Sequence, residues 1–172
     1  MAKTAQAVGG KRFKFEISIT AELVAALAYL TTVETVDISS ITKAYEGGAK
    51  KRPVNKEWVS GDKDPISEQD DQVTVDPATL SFLYTNGKET LGTDGFDFGK
   101  LLNDVIMSDG ALSLPYIVSV AGGNTGDEEW ASDTTQTFVT EVANPAGSVD
   151  TAGKVQRTCI FDSSTLTPAT VA

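Results

Sequence analysis

The chain has 172 residues, about the size of one domain, and its 24 acidic and 14 basic side chains give a net charge of −10. An acidic surface repels phosphate backbones and anionic membranes, which disfavours tight nucleic-acid binding, although the charge also suffices to keep a protein soluble. The N-terminus lacks the apolar segment of a secretory signal, and no apolar run approaches the roughly 20 residues of a membrane helix. We therefore expect no membrane partner and a protein that is made in a cytoplasm and stays soluble there.

The residues of the common catalytic mechanisms are missing. The chain has no histidine, which excludes Ser-His-Asp triads, Cys-His dyads and histidine-rich zinc sites. Cys159 is the only cysteine, so an intrachain disulfide and a thiolate metal cluster are excluded, and its apolar neighbours predict a buried thiol. The acids at 68–71 and 127–129 lie in turn-rich stretches and should be solvated. We expect no enzyme, no cofactor and no bound metal.

The first half of the chain combines one clear strand with ambiguous segments. Residues 1–10 are small and polar and predict a flexible N-terminal arm, and the alternation from Phe13 to Ile19 predicts a strand with one buried face. Residues 21–30 fit either a helix capped by Thr20 or a second strand. Residues 35–41 predict a further strand.

The apolar pattern lapses over residues 47–72, which predicts a long loop, with a short strand near Trp58 and Val59 as a possible interruption. Loops beyond about 12–15 residues are uncommon in compact domains and are usually functional or disordered. Trp58 and Ile66 are apolar and should dock on another surface.

The second half predicts strands and one helix. Apolar residues at the i, i+3, i+4, i+7 and i+8 positions from Phe98 to Ile106 predict an amphipathic helix over about 97–108, with Asp94 or Asp97 as its cap. Strands are expected near 73–75, 80–84, 114–120, 138–142 and 155–161, with a turn-rich link over 122–127 and a frayed tail from 163 to 172. The whole predicts a mainly β protein, an antiparallel β-sandwich or partly open barrel with one flanking α-helix.

An open sheet has unpaired edges that favour association unless they are blocked. The 47–72 segment carries bases at one end and acids at the other, so the bases of one subunit can contact the acids of a neighbour. The candidate inter-subunit contacts are Lys50, Lys51, Arg52, Trp58, Asp62, Ile66, Glu68, Asp70 and Asp71. The sequence therefore predicts a self-assembling structural subunit.

The order of these features resembles the major tail tube proteins of long-tailed, siphovirus-type bacteriophages. The resemblance covers most of the chain and lies in four segments: Trp58 to Asp62 followed by Pro65-Ile66, Leu80 to Thr85, Asp97 to Met107, and the late strands ending at Phe161. It implies one domain over 1–172, with 47–72 as an assembly loop. It also implies hexameric rings that stack into a tube through which DNA passes.

The resemblance further implies a channel whose acids repel DNA, and Asp37 and Glu141 are the candidate lumen-lining acids because each lies on the polar face of a predicted strand. It implies further copies of the chain, a tape measure and a tail terminator as partners, and a virion tail assembled in the host bacterial cytoplasm. Two alternatives remain open. One is a capsid decoration or other virion-surface domain, and the other is a carbohydrate- or protein-binding module that uses Trp58 and Trp130.

Overall fold

A computed structural model describes residues 13–61, 63–85, 91–122, 126–132, 137–144, 155–163 and 166–168. Its strands and helices are, in chain order, β1 Phe13–Ile19, α1 Ala21–Ala26, β2 Glu34–Asp37, β3 Thr42–Glu46, β4 Lys50–Lys51, β5 Val54–Glu57, β6 Ile66–Gln69, β7 Thr74–Val75, β8 Ala78–Leu83, α2 Phe98–Ile106, β9 Tyr116–Gly122, β10 Gly126–Ser132, β11 Thr137–Val142, β12 Gln156–Ser163 and β13 Leu166–Pro168. The predicted N-terminal arm at residues 1–10 lies outside the described residues.

Two antiparallel sheets form the body of the protein. The five-stranded sheet has the order β13-β10-β9-β1-β2, and the four-stranded sheet has the order β11-β12-β8-β3. The predicted mainly β, antiparallel class is confirmed, and the described strands make a sandwich and do not close into a barrel.

Alternation along β1 determines which side chains the sandwich buries. Phe15, Ile17 and Ile19 are buried, whereas Lys14 and Glu16 lie on the opposite face and form an ion pair at 2.9 Å. Because β1 is bonded to β9 on one side and to β2 on the other, it lies inside the five-stranded sheet.

Aromatic side chains from both sheets meet in the core. Phe15 on β1 stacks on Tyr116 of β9 with ring centroids 5.2 Å apart, and Tyr116 lies 5.0 Å from Phe161 of β12. The hydroxyl of Tyr45 on β3 donates to the Tyr116 hydroxyl at 3.1 Å. Burial raises the pKa of both tyrosines, so both stay neutral and hold the two sheets together by packing and one hydrogen bond.

Helix α2 covers the buried face of the four-stranded sheet, which confirms the helix expected over 97–108. The Asp97 carboxylate accepts from Gly99 N at 3.0 Å and caps the helix, and Phe98 packs edge-on against Phe82 at 4.9 Å. The buried Arg157 lies beneath the first turn, where its Nε donates to the Ala143 carbonyl at 2.9 Å. A Cβ on Gly99 would lie 2.4 Å from Arg157 Nη1, so glycine makes room for the guanidinium.

Other elements differ from the sequence expectations. Residues 21–30 begin as the short helix α1, in which Thr20 Oγ1 accepts from Leu23 N at 3.3 Å, so the described residues form two helices and not one. The strand expected over 35–41 ends at Asp37, because the Asp37 carboxylate accepts from Ser39 N at 2.9 Å and turns the chain.

Two strands of the sandwich were not expected, and part of the tail is paired in a sheet. Strand β3 was missed, and β10 occupies residues that the sequence predicted to be mostly a turn-rich link, including the acids at 127–129. Part of the tail expected to fray, Leu166–Pro168, pairs with β10. In each case a neighbouring strand supplies backbone hydrogen bonds that the local sequence does not reveal.

Candidate assembly surface

Residues 47–72 are not a loop but the outer part of one long β-hairpin. The pairs Glu46–Thr79, Lys50–Val75 and Glu57–Ile66 follow one another along the same two chain segments, from β3 and β8 at the base to β5 and β6 near the tip. We call residues 50–75 the arm. The strand suggested near Trp58 and Val59 was misplaced, because β5 ends at Glu57.

Two glycines and a few polar contacts shape the arm. At its base a Cβ on Gly48 would lie 1.9 Å from the Asp76 carbonyl oxygen, so only glycine allows the two segments to approach this closely. Near the tip Gly61 has φ +98°, a conformation that permits the reversal of the chain. Between them, Asp70 N donates to the Pro53 carbonyl at 2.7 Å. These contacts fix the path of the arm without burying side chains.

The arm leaves large apolar side chains in solvent. Trp58 is 66% exposed, Ile66 56% and Val54 52%. Val54 pairs with Gln69, and Ile66 pairs with Glu57, so the alternation of the hairpin places Val54 and Ile66 on opposite faces. The described part of the chain therefore does not cover Trp58 and Ile66, and both faces of the arm expose apolar side chains.

The predicted charged contacts of the arm are partly satisfied within the chain. Lys50, Lys51 and Arg52 are exposed, and Lys51 Nζ lies 2.6 Å from an Asp76 carboxylate oxygen. The Asp70 carboxylate accepts from Gln72 N at 3.0 Å and supports the local turn. Glu68 and Asp71 are exposed, and Asp62 lies outside the described residues.

The two candidate lumen acids are on different sheets. Asp37 ends β2, an edge of the five-stranded sheet, and Glu141 lies in β11, an edge of the four-stranded sheet. The outward faces of two stacked sheets point in opposite directions, so the structure does not bring these carboxylates together.

The outward face of the four-stranded sheet carries exposed acids. The pairing across this sheet runs from Glu141 through Ile160 and Thr79 to Glu46, and Asp162 follows Ile160 by two residues on the same face. Glu46, Glu141 and Asp162 are all exposed. Sequence reasoning found only Glu141 of the three, because the shared face depends on a pairing register that the sequence does not display.

Side chains that could bind a metal are not clustered in the described residues. Among them, no group of three or more His, Cys, Asp or Glu side chains is placed to hold a metal ion. No helix in the described ranges is long and apolar enough to cross a membrane. Cys159 is fully buried, and desolvation raises the pKa of its thiol, which keeps it protonated.

Comparisons with known proteins identify the fold. No protein-family model and no curated protein sequence matches the chain. Among solved structures, a chain of the six-fold symmetrised cryo-EM structure of the anti-feeding prophage baseplate matches with a TM-score of 0.66 at 11% identity, over 98% of this chain and 97% of that one.

Two further matches are to tubes. A chain of the extended sheath-tube complex of PVC, an extracellular contractile injection system, has a TM-score of 0.63 at 12% identity over 96% of this chain and 93% of that one. The SPP1 tail tube has a TM-score of 0.58 at 8% identity over 94% of this chain and 78% of that one. The chain therefore has a fold shared by subunits of tail tubes and injection systems, in contractile and other assemblies alike.

Proposed function

We propose that this chain is a structural subunit of the tube of a phage tail or of a related injection system. The observation that carries the proposal is the arm: within a fold that matches tube-forming assemblies over nearly its whole length, a hairpin presents Trp58, Val54 and Ile66 to solvent. Apolar surface of this kind on a rigid extension suits subunit contacts. The siphovirus-type assignment is narrower than the fold supports, because contractile systems match as well.

In this proposal the four-stranded sheets of several subunits join side by side and line the channel. Both outer strands of that sheet, β3 and β11, have an edge on which another copy can add. Closing the sheets of a ring into one barrel removes these edges. Six copies per ring agree with the six-fold symmetry of the matched baseplate.

The acidic outward face of the four-stranded sheet then faces passing DNA. Carboxylates repel a phosphate backbone, and at physiological salt this repulsion extends about 8 Å, so DNA slides without being held. The lumen-lining acids are then Glu46 and Asp162, together with Glu141 from the original pair. Asp37 lies on the other sheet and instead accepts from Ser39 Oγ at 2.6 Å, which gives it a local structural role.

The arm connects one ring to the next. Because apolar residues occupy both of its faces, the arm is best covered when it lies between two surfaces of the adjacent ring. The candidate contacts remain Lys50, Arg52, Trp58, Asp62, Ile66, Glu68 and Asp71. The other partners are a tape measure inside the tube and a terminator at its end, and the chain resides in the virion tail after assembly in the bacterial cytoplasm.

Negative-stain electron microscopy of the purified chain tests the proposal. We expect rings or hollow tubes, because the sheet edges and the arm provide two separate contacts. A monodisperse monomer at high concentration under every salt condition would contradict a tube subunit. A stable trimer would instead support the decoration alternative.

A deletion of the arm tests whether the sheet edges form the rings and the arm stacks them. Asp76 N donates to the Ala49 carbonyl at 2.9 Å, so an Asn-Gly turn between these residues can replace residues 50–75 and still close the hairpin. The expected product has the circular dichroism and melting behaviour of the parent and forms rings without tubes. Tubes of normal length from a folded deletion variant would show that the arm does not stack the rings.

A further inference from the structure

The two edges of the four-stranded sheet are open over different lengths. Within the described residues no strand pairs with the outer side of β3. The outer side of β11 is partly covered, because Ser113 bridges Phe138 and Leu114 N donates to the Thr137 carbonyl at 2.8 Å. The open stretch of β11 is therefore residues 140–142.

Each open edge has a shift in its pairing register and a charged residue close to that shift. The register of β3 shifts between Thr42 and Ala44, where Lys43 lies, and the register of β11 shifts between Val139 and Glu141. Lys43 and Glu141 are both exposed, and neither forms an ion pair with any other residue that the structure describes. The two edges thus carry opposite charges near their irregularities.

We infer that β3 of one copy joins β11 of the next copy, with Lys43 of the first copy beside Glu141 of the second. This rests on the proposed function, in which the four-stranded sheets close a ring. Each strand of this sheet is antiparallel to its neighbour, so β3 and β11 run in opposite directions and a β3–β11 contact continues the antiparallel pattern.

The charges select this contact over its alternatives. A β11–β11 contact would bring Glu141 near a second Glu141, and the open stretch of β11 has no basic residue. Contact with β3 offers Glu141 a basic side chain, Lys43, so among the contacts open to β11 this one places opposite charges together. A contact between two different edges repeats in the same sense from copy to copy and can close into a ring, whereas a contact between like edges stops at a dimer.

Barrel closure also favours Lys43, and not Glu46 of the same strand, as the residue beside Glu141 of the next copy. Without a shift between copies, Glu46 would lie in the same row as Glu141 of the next copy, and the two carboxylates would repel each other. Strands in a barrel are staggered, which removes this alignment, and Lys43 is the only basic residue of β3. Pairing at the seam leaves Glu46 and Asp162 as the unpaired acids of the channel.

A charge exchange tests the pairing. We expect Lys43→Glu and Glu141→Lys each to raise the protein concentration at which half the chains are in rings by about tenfold or more, because like charges then face each other at every seam. The double variant Lys43→Glu/Glu141→Lys should return this concentration to within about threefold of the parent value. Analytical ultracentrifugation measures the ring fraction and electron microscopy verifies the rings.

Controls separate the pairing from folding and from net charge. Asp109→Lys makes the same charge change as Glu141→Lys at an exposed turn outside both edge strands, and it should assemble like the parent. If a reversal variant fails to fold, Lys43→Gln and Glu141→Gln should each weaken assembly in the same direction by a smaller factor. Thermal melts of all variants report folding.

The outcomes distinguish the pairing from the proposed function. Absence of rings and tubes from the parent chain would overturn both. Rings from the parent together with parent-like rings from both single reversals would overturn the pairing and leave the tube subunit intact. Loss of rings in both single variants without recovery in the double variant would also overturn the pairing.

Discussion

The sandwich and the arm are built from opposite uses of apolar side chains. In the sandwich, Phe15 and Tyr116 are buried and stack on each other, so their burial supports folding. In the arm, Trp58 and Ile66 are more than half exposed, although Ile66 lies in a paired strand and Trp58 directly follows one. The comparison shows that hydrogen bonding and turn residues are enough to shape a segment whose apolar side chains stay exposed.

The sandwich should depend strongly on single core residues. We expect Phe15→Ala to lower the free energy of unfolding by about 3–5 kcal/mol, because the fully buried ring stacks on Tyr116 and its loss leaves a cavity. Chemical denaturation monitored by circular dichroism measures this. Phe138→Ala is the control at a 38% exposed position and should cost clearly less, and equal losses would contradict the distinction between core and surface.

The junction between the two regions should be sensitive to one glycine. Gly48→Ala should lower the free energy of unfolding by about 1–3 kcal/mol, because the added Cβ meets the Asp76 carbonyl oxygen at 1.9 Å and the two segments must separate. The matched control is Gly110→Ala, where a Cβ has no neighbour within 4 Å, and its melting temperature should stay near the parent value. If Gly48→Ala were as stable as the parent, the two segments at the base of the arm would separate at little energetic cost.

Low pH should weaken the hydrogen bonds that the Asp94 carboxylate accepts outside the arm. The Asp94 carboxylate accepts from Thr31 Oγ1, from Thr31 N at 2.8 Å and from Thr32 N at 3.0 Å, and these bonds lower the pKa of Asp94. A carboxyl whose pKa is lower in the folded state stabilises above its unfolded pKa of about 4, and this contribution is lost as the pH falls through the folded pKa.

Asp94→Asn should therefore flatten the fall in melting temperature below about pH 4 relative to the parent chain. Thr31→Val, which removes one donor, should shift the curve in the same direction by less. Identical acid profiles for the parent and Asp94→Asn would show that this contact does not contribute to the pH dependence.

The smallest effect on folding is expected in the arm, where the effect on assembly should be large. Trp58→Ala should change the free energy of unfolding by less than about 0.5 kcal/mol, because the side chain is 66% exposed. Tube length in electron micrographs should nevertheless fall sharply. Val33→Ala, at a 62% exposed residue outside the arm, is the control and should leave tubes intact. A large loss of folding stability in Trp58→Ala would mean that the Trp58 side chain packs on the folded subunit.

Periodicity made some elements predictable. The period-2 pattern of β1 and the helical stripe of α2 each bury one face only, so the sequence reports the buried face directly. The sequence does not reveal that the arm is a hairpin, because the arm has no buried face. Both faces of β5 and β6 are exposed, and without a buried face the alternation disappears.

The candidate site was only partly predictable, because much of it depends on strand order. Trp58 and Ile66 were found as costly apolar residues without a local partner. Lys43 was missed and Asp37 was grouped with Glu141, because edges and outward faces follow from which strands pair across the sheets. Such pairings join residues far apart in the chain, and local patterns do not encode them.

Strand β3 has a consequence for the order of assembly, since the strand that offers a sheet edge also continues through Gly48 into the arm. A subunit that binds a neighbour along this edge restrains the root of its own arm at the same time. Lateral binding therefore lowers the entropy that the arm must lose in axial binding. Growth should then show a lag while the first complete ring forms, followed by rapid elongation from that ring.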